Sequence, residues 1–158
     1  GPGRFEGRKL GILVSDGSDA AVFKALLAEI TEQKATFEVI APKIGGVTLS
    51  DGNWIEAHQM IDGGPSVLYD AVALLPSSAG SSDLLKEATA HDFVSDAFVH
   101  CKFIGYVETA LPLMQRAGIA DSLDEGVLAL RAAGDVAAFV KALGKLRVWG
   151  REPSVKLN

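Results

Sequence analysis

The strongest constraint on the fold lies near the N-terminus, where a β-strand pattern is followed by a helical one. Residues 9–15 form a short apolar run that ends in turn residues, which predicts a buried strand. Apolar side chains then recur at helical spacing over residues 22–30, which predicts an amphipathic helix with Ser18 as its N-cap and Asp19 in its first turn. Residues 36–40 predict a second strand. A strand, a helix and a strand in this order form a βαβ unit, whose strands pair in parallel.

The same alternation continues along the chain and predicts an α/β fold. Residues 45–57 predict an inserted β-hairpin, because Asp51-Gly52 is a turn signal between two short apolar segments. We therefore predict a three-layer, doubly wound, mostly parallel sheet of about five strands with a small hairpin insertion. The remaining predicted strands are residues 71–75, 102–107 and 127–130, and the remaining predicted helices are one or two between 83 and 100, one at 110–117 and one near 135–144.

One domain is expected to account for nearly the whole chain. Its 158 residues suit a single hydrophobic core, and no repeat, linker or low-complexity stretch divides them. Residues 1–3, Gly-Pro-Gly, resemble a scar left by protease cleavage, so residues 4–158 are predicted to be one domain from a longer chain. Cys101 is the only cysteine, which rules out a disulfide within the chain.

The charge and hydropathy patterns exclude two classes of partner. The formal net charge is −5, whereas a nucleic-acid-binding domain normally has a basic surface, so no nucleic-acid partner is expected. No apolar run is long enough to span a membrane, so we expect a soluble protein, either cytoplasmic or secreted. Residues 131–158 contain six basic and two acidic residues, and this basic end on an acidic body suits contact with an acidic surface.

Doubly wound sheets bind ligands where their strands end, which here directs attention to residues 16–19, 77–82 and 107–110. Asp16 and Asp19 would repel a phosphate at the first loop, and no glycine-rich nucleotide motif is present. The serine-rich second loop lacks the Gly-x-Ser-x-Gly pattern of hydrolases. Nucleotide or FMN binding and a serine nucleophile are therefore not expected.

No metal or haem site is predicted in this chain. The cysteine at position 101 precedes a strand, away from the ligand-binding loops, and is expected to be a small buried hydrophobe. The three histidines are far apart and lack metal-binding spacing. Neither tyrosine has an arginine four residues before it, as tyrosinate-ligated haem would favour. The histidines are His58, His91 and His100, and the tyrosines are Tyr69 and Tyr106.

A pair of carboxylates is the remaining candidate for chemistry. Asp19 follows the first strand and Glu108 follows the strand at residues 102–107, so both lie at the predicted crevice. If the two approached closely, one would retain its proton and an acid/base pair would result. The alternative is that each is solvated or caps a helix. An acid/base role that rests only on where the two residues lie in the fold is an analogy with other proteins of that fold.

Five segments share one family resemblance, and together they span nearly the whole chain. They resemble the C-terminal domain of large-subunit monofunctional haem catalases, whose fold is flavodoxin-like and similar to class I glutamine amidotransferases and ThiJ/PfpI proteins. The combination is more specific than any one segment. The segments are residues 7–14 (Gly-Arg-Lys-Leu-Gly-Ile-Leu-Val), 46–52 (Gly-Val-Thr-Leu-Ser-Asp-Gly), 65–72 (Pro-Ser-Val-Leu-Tyr-Asp-Ala-Val), 91–105 and 147–153 (Arg-Val-Trp-Gly-Arg-Glu-Pro).

The resemblance also indicates what the crevice lacks. ThiJ/PfpI relatives carry a nucleophilic cysteine on the turn after the strand that corresponds to residues 102–107, and the matching positions here are Glu108, Thr109 and Ala110. The acidic partner in those relatives falls at or near Asp19. Because a glutamate cannot form a thioester in place of a thiolate, amidase, protease and glyoxalase activities are not expected.

The family implies a role for the chain within a larger enzyme. The parent catalase would decompose hydrogen peroxide to water and oxygen, with haem in a separate N-terminal domain and no cofactor in this fragment. Its partners would be the catalase core of the same chain and neighbouring subunits of a homotetramer. We therefore expect a non-catalytic accessory domain that contributes to subunit stability or substrate access. The alternatives are a chaperone-like module that holds unfolded client proteins and a residual ThiJ/PfpI-like hydrolase.

Overall fold

The computed structural model describes residues 4–153, and its strands and helices alternate much as predicted. The strands are β1 (Lys9–Val14), β2 (Thr36–Ala41), β3 (Gly46–Thr48), β4 (Trp54–Glu56), β5 (Gln59–Met60), β6 (Ala71–Leu75), β7 (Ile104–Tyr106) and β8 (Val127–Ala129). The helices are α1 (Ala20–Glu32), α2 (Ser78–Leu84), α3 (Ala88–Val99), α4 (Leu111–Arg116) and α5 (Ala133–Ala142).

Six of the strands form one parallel sheet in the order β5-β2-β1-β6-β7-β8. The predicted doubly wound α/β fold is thus confirmed, although the sheet has one strand more than expected, because two-residue β5 is too short to show a hydrophobic period. The predicted hairpin is formed by β3 and β4, which pair antiparallel. At its turn the Gly52 N–H donates to the Leu49 carbonyl, and Gly52 has a φ of +87°, a conformation that favours glycine.

Both faces of the sheet are covered by helices, which explains the apolar strands. Neighbouring residues of β1 point to opposite faces, so Ile12 packs in the core shared with α1 and α5, whereas Leu13 packs with α3 and α4. Every residue of β6 is buried for the same reason. Within residues 4–153, the helices fall short of the length and apolar character needed to cross a bilayer.

Two details at the carboxyl ends of the strands correct the sequence prediction. Asp19, rather than Ser18, is the N-cap of α1, because its carboxylate accepts from the Val22 N–H at 2.9 Å. The predicted loop at 77–82 is largely helical, since α2 starts at Ser78 after the Ser77 hydroxyl caps it. Serine favours both turns and N-caps, so the pattern alone did not distinguish them.

The segment after α5 is ordered against the sheet, including the part from Arg147 onward, which shows no periodicity in the sequence. It forms two short 3₁₀ turns, Leu143–Lys145 and Trp149–Arg151. Between them the Val148 N–H donates to the Cys101 carbonyl at 2.6 Å. The tail therefore lies at the end of the sheet where the strands begin, which we call the amino edge; the opposite end is the carboxyl edge.

Candidate functional site

The fold places its candidate crevice at the carboxyl edge between β1 and β6. The connections of the sheet reverse there, since β1 leads outward to β2 on one side and β6 leads to β7 on the other. Such switch points are where open α/β sheets hold their ligands. The loops that border the crevice follow β1, β6 and β7, as the sequence predicted.

Side-chain hydroxyls join the loops that border this crevice. The Ser15 hydroxyl accepts from the Ser77 N–H at 2.8 Å, and the Ser77 hydroxyl donates to the Asp16 carbonyl at 2.6 Å. The buried Ser18 hydroxyl donates to the Leu75 carbonyl at 2.5 Å. Because the protons of Ser18 and Ser77 are directed at backbone carbonyls, these hydroxyls link the loops instead of forming a nucleophile–base pair.

Close packing at Gly80 keeps the same loops together. A Cβ atom at this position would lie 1.9 Å from Ser15 Oγ and 2.4 Å from Ser15 Cβ. Only glycine therefore allows the first turn of α2 to approach the end of β1 this closely. The Gly80 N–H also donates to the Ser77 hydroxyl at 3.1 Å.

A cavity of about 540 Å³ opens beside the joined loops. Its charged lining mixes both signs, with Lys43 and Lys86 on one hand and Asp16, Asp83 and Glu87 on the other. No cysteine or histidine lines this cavity. Mixed charges of this kind do not define a ligand class.

The structure places Asp19 and Glu108 after two strands, β1 and β7, that are not neighbours. Because β6 lies between them, β1 and β7 are two strand spacings apart, about 9.5 Å. Asp19 uses its carboxylate to cap α1. Glu108 is exposed at the start of a 3₁₀ turn, Glu108–Ala110, and its neighbour Thr109 donates to the Pro76 carbonyl at 2.7 Å. The acid/base role of the two carboxylates stays a prediction.

The histidines lie at separate places in the fold. The Nδ1 atom of His58 accepts from the Val39 N–H at 2.8 Å, and His91 contacts the neighbouring Asp92 at 3.1 Å. His100 is exposed after α3. Among residues 4–153, no group of three or more metal-ligating side chains is assembled. Cys101 is buried and unpaired at the amino edge, which confirms its predicted place.

The amino edge holds a buried and densely hydrogen-bonded side chain that no sequence pattern indicated, Arg151. Its Nε and Nη2 atoms donate to the two carboxylate oxygens of Asp124 at 2.6 and 2.8 Å. Its Nη1 atom donates to the Phe98 and Lys102 carbonyls at 3.0 and 2.9 Å, and the guanidinium lies 4.0 Å from the centre of the Phe98 ring. Burial acts to raise the pKa of Asp124, but the hydrogen bonds from Arg151 and Gly126 outweigh burial and lower it.

A second buried cation lies next to it. The Nζ atom of Lys102 donates to the Ser66 carbonyl at 2.6 Å. Burial and the positive charge of Arg147 lower the pKa of Lys102 to about 8, although Asp70 and Asp96 oppose the shift. The basic and aromatic residues of the C-terminal tail were the signal in the sequence for this charged cluster. Their hydrogen-bond partners could not be identified from the sequence, because they lie in distant segments.

Sequence comparisons place the chain beside catalases. A family model described as the C-terminal domain found in long catalases matches residues 6–153. The chain is 64% identical to Catalase C of Rhizobium meliloti over 100% of this chain and 22% of that protein. It is 27% identical to Catalase HPII of Pseudomonas putida over 96% of this chain and 21% of that protein. The chain thus spans about a fifth of the length of these relatives.

Structure comparisons show the fold. A DJ-1 superfamily protein from Salmonella typhimurium superposes with a TM-score of 0.74 at 18% identity, over 95% of each chain. A ThiJ/PfpI domain protein from Brachyspira murdochii gives a TM-score of 0.73 at 12% identity, over 89% of this chain and 96% of that one. These likenesses confirm the predicted flavodoxin-like fold, and the sequence matches confirm the resemblance to catalase C-terminal domains.

Proposed function

The chain belongs to the family of C-terminal domains found in long catalases, and from this premise we propose that it is a non-catalytic accessory domain of such an enzyme. The longer polypeptide decomposes hydrogen peroxide to water and oxygen. The domain contributes to the stability of that polypeptide or shapes the access of substrate to its haem. The site geometry carries this proposal, since the crevice loops are joined by hydroxyl groups and the turn after β7 reads Glu108-Thr109-Ala110.

Among residues 4–153, the buried tyrosine does not suit haem ligation, which supports placing the haem in the remainder of the polypeptide. Tyr69 is buried in the core, and its ring lies so close to β1 that a Cβ atom on Gly11 would be 2.6 Å from it. Burial, together with the negative charge of Glu38, raises the pKa of Tyr69, so its phenol stays protonated. A protonated phenol inside a packed core is not a ligand for iron.

An accessory domain of this kind acts through burial of surface. A domain that docks on the native enzyme but not on its unfolded form shifts the folding equilibrium towards the native state. Interfaces between domains of one chain typically bury 600–1,500 Å², roughly the size of a transient protein–protein contact. Loss of the docked domain should therefore affect resistance to heat before it affects turnover.

Deletion of the domain tests the proposal. We expect the full-length catalase and a version that ends before Arg4 of this numbering to have similar turnover at 25 °C. The shorter enzyme should lose activity several-fold faster on heating, or should admit larger peroxides more readily. Equal heat inactivation together with equal peroxide selectivity would overturn the proposal.

The isolated chain provides a second test. We expect its absorbance spectrum to lack a Soret band and its solution to evolve no oxygen from hydrogen peroxide. Bound haem in the purified chain would contradict the assignment of haem to the remainder of the polypeptide.

A chaperone-like role is a second candidate, because several large apolar side chains are exposed, Trp149 and Val67 among them. We expect the isolated chain, if it has this role, to suppress aggregation of heat-stressed citrate synthase at equimolar concentration. No suppression at several-fold excess would remove this candidate and leave the accessory role unaffected.

A further inference from the structure

The exposed apolar side chains of this domain are concentrated at the amino edge. Within residues 4–153, seven large apolar side chains are exposed, and five of them belong to segments that precede strands or to the tail bound there. The other two, Ile44 and Trp54, lie beyond the end of β2 and in the hairpin, at the carboxyl edge. The five, which we call the amino-edge patch, are Val67, Leu68, Val99, Leu123 and Trp149.

The backbone on both sides of Trp149 is fixed by contacts with the rest of the domain. The side chain is 65% exposed, although the Val148 N–H on one side donates to Cys101 and buried Arg151 on the other anchors the tail. Arg147 in addition donates to the Asp70 carbonyl at 3.1 Å. An exposed aromatic side chain whose backbone is already ordered loses little further entropy when a partner covers it.

Two cavities of opposite charge flank the tail. The smaller, about 210 Å³, is lined by Trp149 with Arg8, Arg147 and Asp70, and so has a net positive lining. The larger, about 540 Å³, is lined by Leu123 with three carboxylates against Arg151, and so has a net negative lining. A partner that covers Trp149 must therefore offer acidic groups on one side and basic groups on the other. The three carboxylates are Asp121, Asp124 and Glu125.

The polypeptide enters the domain at this same edge. β1 begins at Lys9, the Gly7 N–H donates to the Lys34 carbonyl ahead of β2, and Arg8 shares the smaller cavity with Trp149. The family to which the chain belongs consists of C-terminal domains, and the relatives are several times longer than the matched region. In a chain of that kind the preceding part arrives beside the amino-edge patch, and the covalent connection raises its effective concentration there.

We propose that the amino-edge patch is the surface through which this domain docks on the preceding, catalytic part of its own polypeptide. The proposal rests on the accessory function proposed above and adds the docking face and its chemistry. The catalytic part would make apolar contacts around Trp149, with acidic groups against the positive cavity and basic groups against the negative one. The carboxyl edge, where this fold usually holds ligands, then faces away from the attachment.

Hydrogen exchange followed by mass spectrometry tests the choice of face. Amide exchange in the full-length catalase is compared with exchange in the isolated chain. We expect peptides that cover residues 66–69, 120–125 and 147–151 to exchange at least tenfold more slowly in the full-length enzyme. Peptides from residues 42–57 should be unchanged. Protection confined to residues 42–57 would overturn the proposal.

A pair of double variants provides the matched comparison, because the two tryptophans are 65% and 61% exposed at opposite edges. In the full-length enzyme, Leu68→Ser with Trp149→Ser should speed proteolytic release of the domain at least tenfold. Ile44→Ser with Trp54→Ser should change it less than twofold. Both pairs should leave the Tm of the isolated chain nearly unchanged, since all four side chains are exposed.

The two proposals can fail separately. If deletion of the domain leaves heat resistance and peroxide selectivity unchanged, the accessory function is wrong. If deletion has an effect but release is speeded by the Ile44 and Trp54 variants instead, the accessory function holds and the amino-edge docking is wrong. If Trp149→Ser lowers the Tm of the isolated chain, faster release could reflect unfolding. The hydrogen-exchange pattern of the unmodified proteins then decides which edge is the docking surface.

Discussion

The two edges of the sheet are held together by different chemistry. At the carboxyl edge, Ser15, Ser18 and Ser77 join the loops through neutral hydroxyl groups. At the amino edge, Arg151 and Lys102 donate charged hydrogen bonds to carbonyl groups inside the protein. Hydrogen bonds of charged groups contribute roughly twice as much as neutral ones and leave a larger penalty when one partner is removed.

The contrast shows that this chain places its buried charges away from the usual ligand site. In open α/β sheets the functional groups collect at the carboxyl ends of the strands. Here buried Arg151 fastens the C-terminal tail to the opposite edge, where Trp149 is exposed, and buried Lys102 donates to the Ser66 carbonyl at the same edge.

The largest expected effect comes from breaking the charged cluster with Arg151→Met. The change leaves the Asp124 carboxylate and the Phe98 and Lys102 carbonyls without their donor, so the free energy of unfolding should fall by about 3–5 kcal/mol. Urea denaturation of the isolated chain measures it. Arg131→Met is the control, because Arg131 pairs with Asp135 in solvent, and little change is expected. Equal losses in the two variants would mean that the amino edge is not specially held.

Two glycine substitutions compare the packing of the edges directly. Gly80→Ala places a Cβ atom 1.9 Å from Ser15 Oγ at the carboxyl edge, and Gly126→Ala places one 2.1 Å from Val148 Cγ2 at the amino edge. Each should cost about 1–3 kcal/mol of unfolding free energy. Gly134→Ala, in α5 with nothing within 4 Å, should instead stabilise by about 0.5–1 kcal/mol. A neutral Gly80→Ala would show that the crevice loops are loosely joined.

The pH dependence of the unfolding free energy should reveal the lowered pKa of Lys102 at the amino edge. Its pKa is lowered in the folded protein to about 8 from an ordinary value of 10.5. Between these two pH values the unfolded chain binds the extra proton, so the unfolding free energy rises with pH by at most about 1.4 kcal/mol per pH unit. Urea denaturation from pH 7 to pH 10 should show this rise, and Lys102→Met should lack it. Parallel curves for the two proteins would contradict the assignment.

The smallest effect separates the two candidate carboxylates of the carboxyl edge. Asp19→Ala removes the N-cap of α1 and should cost about 1 kcal/mol, whereas Glu108→Ala changes an exposed side chain and should cost almost nothing. Thermal unfolding of both variants measures the difference. A clear loss of stability in Glu108→Ala would contradict this expectation, because it would mean that the Glu108 side chain makes a stabilising contact.

Strands and helices with a clear hydrophobic period were predictable from the sequence. The apolar run at residues 71–75 coincides with β6, and the run at residues 9–15 ends within one residue of β1. β5 was missed because two residues have no measurable period. The first turn of α2 was missed because serine, as at Ser77, is common both in turns and at helix N-caps.

The candidate site was predictable in its location but not in its bonding. The order of strands and helices was enough to point to the loops after β1, β6 and β7. Whether the serines of those loops would be free or engaged depended on approaches such as that of Ser15 to Ser77, which are 62 residues apart. The same limitation hid Arg151, whose acceptors Asp124 and Phe98 are 27 and 53 residues away.

The order of apolar segments by itself determined the α/β fold, and five short segments determined the family. Local periodicity is enough for this, because strand and helix patterns state which faces must be buried. Only the tertiary structure decided which groups complete each edge of the sheet: hydrogen-bonded hydroxyls at the carboxyl edge, and buried cations with an exposed tryptophan at the amino edge. The physical reason is that hydrogen bonds and burial between distant segments depend on geometry that forms only when the chain has folded.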